Sequence, residues 1–312
     1  TITSSPFPSN TAAPLPTETL TPSTPPLPTR EQEKITPTIL PTPTAVQVDL
    51  RTQDKMPMVL LPATTFMMGA HPDDADAEPD ERPYHPITLN SFYIDQFEVS
   101  VAQYVAYLNE LETYVNVCGG FSCLSTKAET SDSHIVGIIN GGFVAEAGFE
   151  NFPINNVSWH GAVSYCEWVG ARLPTEAEWE LAARGEDGRI YPWGNTRPKS
   201  NNAIFNTYEF SDLHPINALP EGANQFGLFN MAGGVWEWVY DGYDTFYYEY
   251  SSDENPTGPD TDNFTPRILR GGGYTSSAVE LRTSNRRRFS ATSFLNNVDI
   301  GFRCAQDVES LP

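Results

Sequence analysis

Ala171-Arg172-Leu173-Pro174-Thr175-Glu176-Ala177-Glu178-Trp179-Glu180 carries the plainest folding instruction in the chain. Thr175 and Glu178 stand at capping-box spacing. A hydroxyl at the cap accepts from the third helical amide, and the carboxylate there reaches back to the cap's own N–H. Pro174 stops any helix from starting earlier. Trp179 holds the inner staple position, and Leu173, one residue outside the usual outer one, is placed to pack against it. Arg184 in the last turn and Gly185 after it close the helix. Upstream, Ala162, Val163, Cys166 and Val169 line one face of a helix that ends before Gly170. Val101, Tyr104, Val105, Leu108 and Leu111 recur at helical spacing after Ser100.

Further out the period changes. Met58-Val59-Leu60-Leu61-Pro62 reads as a strand, and Thr65-Phe66-Met67-Met68-Gly69 as its continuation after a turn. Ile87-Thr88-Leu89 and Phe92-Tyr93-Ile94 are short strands. The carboxylate-rich stretch from Asp73 to Glu81 reads as a solvated loop. Beyond Gly185 the chain is turns, short strands and aromatics, with no internal repeat. The expected class is α+β, one domain over residues 47–312, rich in irregular structure. Residues 1–46 differ in kind. Their Thr, Pro and Ser bury little apolar surface and favour an extended tail. Thr1-Ile2-Thr3 and Ile35-Thr36-Pro37-Thr38-Ile39-Leu40 are β-branched patches able to pair with an exposed sheet edge, including one on a neighbouring subunit.

The chain has 312 residues and a formal net charge of -22. Such a surface repels phosphate backbones and argues against nucleic acid, while favouring hard cations. No apolar run is long enough to span a bilayer. The start at Thr1, without Met, is read as a mature, exported form. Four cysteines, Cys118, Cys123, Cys166 and Cys304, allow three pairings. An even, sparse set fits two disulfides in an oxidising compartment. Cys118 and Cys123 flank a short glycine-bearing loop that can close on itself, which leaves Cys166 with Cys304. Zinc fits poorly, since no histidine pair lies at ligand spacing near them. His71, His85, His134, His160 and His214 are scattered and read as surface or core residues.

Several motifs, in order, carry a resemblance. They are Asn156-Val157-Ser158-Trp159, the Ala171–Glu180 stretch, Tyr191-Pro192-Trp193-Gly194, and Phe226-Gly227-Leu228-Phe229-Asn230-Met231-Ala232-Gly233-Gly234-Val235-Trp236-Glu237-Trp238. Leu269-Arg270-Gly271-Gly272-Gly273-Tyr274 and Ile300-Gly301-Phe302-Arg303-Cys304 follow. From about Met58 to Asp307 the chain resembles the formylglycine-generating, sulfatase-modifying family. The resemblance implies a single mixed domain distantly similar to the C-type lectin fold. It also supports a Cys166–Cys304 bridge.

The departures bear on function. Family enzymes carry two cysteines that bind copper and activate oxygen; the matching positions here are Ser276 and Leu281, and the adjacent serine position is Gly273. A hydroxyl and an isobutyl group cannot replace thiolates. The expectation is no catalytic residue, no copper and no enzyme. The family's calcium-wrapping stretch survives. It implies a side-chain carbonyl from Asn230, a carboxylate from Glu237, and backbone carbonyls from Gly233 and Val235, an oxygen set suited to calcium. The plainer reading makes Trp236 and Trp238 core aromatics around a tight glycine turn. A second family calcium site, through Asn202, is not expected, because the loop after it is shortened. Within Arg286-Arg287-Arg288 some side chains pair with carboxylates inside the fold, or else form an acidic-ligand site. Arg282 and Arg286 are the candidates for ligand binding on a face running from Thr275 to Asn297. The expected function is a secreted, non-catalytic surface protein, a filament-like structural subunit joined to itself through the tail. A glycan-binding module and a divergent oxidoreductase are the alternatives.

Overall fold

A computed structural model describes residues 47–308, apart from 112–115, 140, 208–212, 263–264 and 293–297. The tail of residues 1–46, with its two β-branched patches, lies outside the described residues, as does the end of the Thr275–Asn297 face. In chain order come β1 (Val48–Leu50), β2 (Pro57–Leu61), β3 (Thr64–Met68), β4 (His85–Leu89) and β5 (Phe92–Asp95). Then follow α1 (Val101–Glu110), β6 (Val117–Cys118), β7 (Phe121–Ser122), β8 (Ile135–Gly137) and β9 (Phe143–Ala145). Helices α2 (Trp159–Trp168) and α3 (Glu176–Arg184) precede β10 (Trp236–Gly242), β11 (Arg267–Arg270), β12 (Arg287–Phe289), β13 (Ile300–Gly301) and β14 (Ala305–Asp307).

The helix starts follow their caps. Ser100 accepts from the Gln103 amide while Gln103 reaches back to it, and Thr175 and Glu178 make the same reciprocal pair. Ser158 caps α2 through the Gly161 amide. Gly185, at φ 70°, ends α3 with its N–H on the Leu181 carbonyl. The strands form two four-stranded sheets. One runs β1-β2-β5-β14, antiparallel throughout, so both ends of the domain meet in it. The other runs β12-β11-β10-β13, with β13 parallel to β10. Pairs β3–β4, β6–β7 and β8–β9 stand apart. Among the described residues no helix is long and apolar enough to cross a membrane.

Two apolar clusters hold these parts together. One gathers Tyr104, Tyr165, Trp238 and Phe302 around α1 and α2. Tyr104 stacks on Tyr165 at 5.6 Å, and Phe302 meets Tyr165 edge-on at 5.4 Å. The other gathers Trp179, Phe66, Ile87 and Val239 around α3. Cys118 is bonded to Cys123 across the β6–β7 turn, and Cys166 in α2 to Cys304 before β14. The second bridge closes 138 residues, worth about 5 kcal/mol in the loop-closure account.

Three expectations need correction. Segments 58–62 and 65–69 are not one interrupted strand: β2 pairs with β5 and β3 with β4, because their partners lie far along the chain. Leu173 and Trp179 do not form a staple, for Leu173 joins the α1–α2 cluster and Trp179 the α3 cluster. The acidic stretch is not all solvated. Asp80 is 7% and Glu81 0% exposed: the Tyr243 hydroxyl donates to the Asp80 carboxylate, and Arg282, described below, grips Glu81.

Candidate functional site

Helix α3 is buried along its whole length, though it carries three glutamates and an arginine. Guanidinium groups from the far end of the chain make this tolerable. Arg270 of β11 reaches Glu180 at 2.5 Å and Glu176 at 3.3 Å, and Arg184 holds the other Glu180 oxygen at 2.7 Å. Arg286 grips both Glu176 oxygens, at 2.7 and 3.1 Å. Arg282 grips both Glu81 oxygens at 2.6 Å each and takes Asp74 at 2.9 Å. Arg282 is 1% and Arg286 4% exposed. The expectation that they bind an external ligand is therefore corrected: each is sealed inside on a carboxylate. The alternative weighed for the arginine run, pairing within the fold, describes Arg286. Arg287 and Arg288 instead lie over Trp236 and Tyr243.

The turn from Asn230 to Val235 leads into β10. Asn230 (φ 53°), Gly233 (φ 81°) and Gly234 (φ 76°) take left-handed backbone, and a Cβ on Gly233 would lie 2.5 Å from the Ile204 carbonyl oxygen. Glu237 is fully engaged. Arg303 grips both its oxygens at 2.7 Å, and the Trp179 indole donates at 2.8 Å. Beside the same turn stands Glu98, which the sequence did not single out. Glu98 Oε2 accepts from the Asn230 amide at 2.8 Å, while Oε1 is buried without a hydrogen-bond partner. Burial drives the Glu98 carboxyl upward; the Arg303 guanidinium opposes the rise and the Glu237 carboxylate adds to it. No sequence signal marks Glu98, which merely precedes the α1 cap. Among the described residues no three His, Cys, Asp or Glu side chains gather as a metal cluster.

The third feature is the turn after β11. Ser276 is 2% exposed, and its hydroxyl accepts from the Gly273 amide at 3.1 Å. Leu281 is 0% exposed and belongs to an apolar cluster with Tyr191, Ala203 and Ala232. Asp299 closes in from the other side. Its carboxylate accepts from the Thr275 hydroxyl at 2.6 Å, and one oxygen lies 2.5 Å from where a Cβ on Gly273 would stand. Burial raises the Asp299 carboxyl above its ordinary range.

The Sulfatase-modifying factor enzyme 1-like domain family matches residues 44–308. The chain belongs to this family. The formylglycine-generating enzyme of Mus musculus is 33% identical over 287 residues, covering 80% of this chain and 75% of that protein. Serine/threonine-protein kinase pkn1 of Chlamydia caviae is 36% identical over 259 residues, 81% of this chain. That stretch is only 38% of the pkn1 length, so the chain matches a part of it. An inactive C-alpha-formylglycine-generating enzyme 2 of Bos taurus is 29% identical, with 86% and 94% covered. Among solved structures, PvdO from Pseudomonas aeruginosa superposes with a TM-score of 0.65 at 26% identity, covering 84% of this chain and 98% of PvdO. Treponema denticola variable protein 1 shares the fold, with a TM-score of 0.59 at 19% identity and 85% and 99% covered. The sulfatase-modifying-factor fold, α+β and related to C-type lectins, is thus the fold of this chain. The family contains proteins named as enzymes and one named as inactive, so membership alone does not assign an activity.

Proposed function

We propose that this member of the family is a non-catalytic extracellular protein, a filament-like structural subunit whose segment of residues 1–46 docks on a neighbouring copy. One observation carries the first half: the chain has four cysteines and all four are disulfide-bonded, so it has no thiol. The chemistry implied by the resemblance needs two thiolates on copper, and Ser276 and Leu281 supply neither. Leu281 is sealed within an apolar cluster, and Asp299 stands against Gly273. Two disulfides in a large acidic domain fit an oxidising, extracellular setting. For the second half, among the described residues β1 is the outermost strand of its sheet, and it directly follows the tail in sequence, with Val48 48% and Leu50 62% exposed. An apolar edge strand is a ready pairing surface.

Calcium fits as a structural ion. Glu98 offers a buried oxygen without a partner, Asn230 a side-chain amide, and Gly233 and Val235 their carbonyls, which together make an oxygen-rich set of calcium type. The ion would supply charge balance for Glu98 and fix the turn into β10. No catalytic step involves it.

Two measurements test the proposal separately. The chain incubated with copper, oxygen and a sulfatase-motif cysteine peptide is expected to leave the peptide unchanged; formylglycine in the product overturns the non-catalytic half. Sedimentation of the whole chain is expected to show concentration-dependent association that disappears when residues 1–46 are removed. Two monomers at high concentration overturn the assembly half.

A further inference from the structure

A groove of about 950 Å³ opens between the β4–β5 turn, the start of α3 and β10. That is the size of a small-molecule site. None of its lining residues belongs to the Gly271–Arg286 segment, so it is separate from Ser276, Leu281, Arg282 and Arg286. Its ligand chemistry can be read from its walls.

Tyr240 forms one wall. It is the single exposed position in β10, at 45%, in a strand whose other residues are buried. Its ring is braced against Trp159, with centroids 6.1 Å apart. A flat aromatic face turned outward beside a groove is a stacking platform for an apolar ring face. Asn90 and Asn255 line the same groove. Asn255 is held at φ 43°, with its N–H on the Thr88 carbonyl at 2.9 Å and its Oδ1 on the Asn90 amide at 2.8 Å. Its amide nitrogen is the donor that remains for a ligand.

The charges in the groove narrow the class. Arg172 lies between Glu178 and Asp307, and every one of its N–H directions is engaged: both Glu178 oxygens, Asp307 Oδ1 twice, and the Leu173 carbonyl. It has nothing left to grip a phosphate or carboxylate, and a chain of net charge -22 repels anions in any case. The two carboxylates keep acceptor capacity for hydroxyl groups, as an ionised carboxyl takes several donors. An aromatic face, an amide donor and carboxylate acceptors, with the cation already matched, suit a neutral ring dense in hydroxyls.

We propose that this groove binds a neutral oligosaccharide, stacked on Tyr240 and hydrogen-bonded by Asn255 and the Glu178–Asp307 carboxylates. The test is calorimetric titration of the whole chain with maltohexaose, cellohexaose, chitohexaose and mannohexaose. At least one is expected to bind saturably at one per chain, with affinity little changed by about 0.5 M NaCl, because no charge is read. Tyr240→Ala is expected to weaken that binding about tenfold. Asn255→Gly keeps the left-handed backbone and is expected to weaken it severalfold, while Phe246→Ala, an exposed ring outside the groove, leaves it unchanged. Silence from all four sugars overturns the proposal. So does binding indifferent to Tyr240→Ala, binding abolished by salt, or binding that appears only after residues 309–312 are deleted, since the groove would then belong to the chain's own end.

Discussion

The carboxylates of the α3 region and Glu98 are equally buried, yet they are balanced differently. Glu176, Glu180 and Glu81 each lie in the grip of at least one guanidinium. Glu98 has only an amide on one oxygen and nothing on the other, since the nearby Arg303 fork is engaged by Glu237. In the first region the protein supplies its own counter-charge. In the second it leaves a buried carboxyl oxygen without a hydrogen-bond partner, and burial raises that carboxyl. The difference is what supports proposing a cation beside Glu98, because a buried polar atom left unsatisfied is costly.

That contrast can be broken by substitution. Arg270→Met is expected to cost the most, about 3–5 kcal/mol, by taking one of two guanidinium partners from both Glu180 and Glu176; urea unfolding measures it, and a loss below about 1 kcal/mol would mean the α3 acids do not depend on Arg270. Calcium at a hundredfold excess over its Kd is expected to stabilise the natural chain by about 2.7 kcal/mol against a chelator control. Glu98→Gln should remove that gain while leaving the chelated protein as stable as before or more so. A stabilised variant with calcium still effective would place the ion elsewhere.

The pH response sharpens the same point. Burial raises the Glu98 carboxyl above its unfolded value, so in chelator its contribution to stability is full below about pH 4.3 and is lost as pH rises through the folded value. Calcium should flatten that slope, and an unchanged slope in thermal melts with and without the ion would remove Glu98 from the site. Thr175→Ala, which deletes only the α3 cap, sets the small end of the scale at about 1 kcal/mol. Should it cost as much as Arg270→Met, the helix start rather than charge matching would govern this region.

Local signals were legible and remote ones were not. Ser100 and Thr175 announce their helices, because a cap acts within four residues. The hairpin cysteines are near neighbours for the same reason. Glu176 and Glu180 look like a solvated helix face, for their partners Arg270 and Arg286 stand about a hundred residues later. Arg282 and Arg286 looked like ligand residues by the same blindness, since a run of basic residues does not reveal which acids face it. Glu98 lacks any local pattern, and the groove beside Tyr240 is assembled from six separated segments.

Asp299 beside Gly273 also limits how this turn could be rebuilt. A side chain at position 273 would collide with that carboxylate, and a cysteine at 281 would lie walled in behind Tyr191, Ala203 and Ala232. Side chains other than the present ones at 273 and 281 would therefore require shifting Asp299 and opening that cluster together, because the space next to the missing Cβ is already taken.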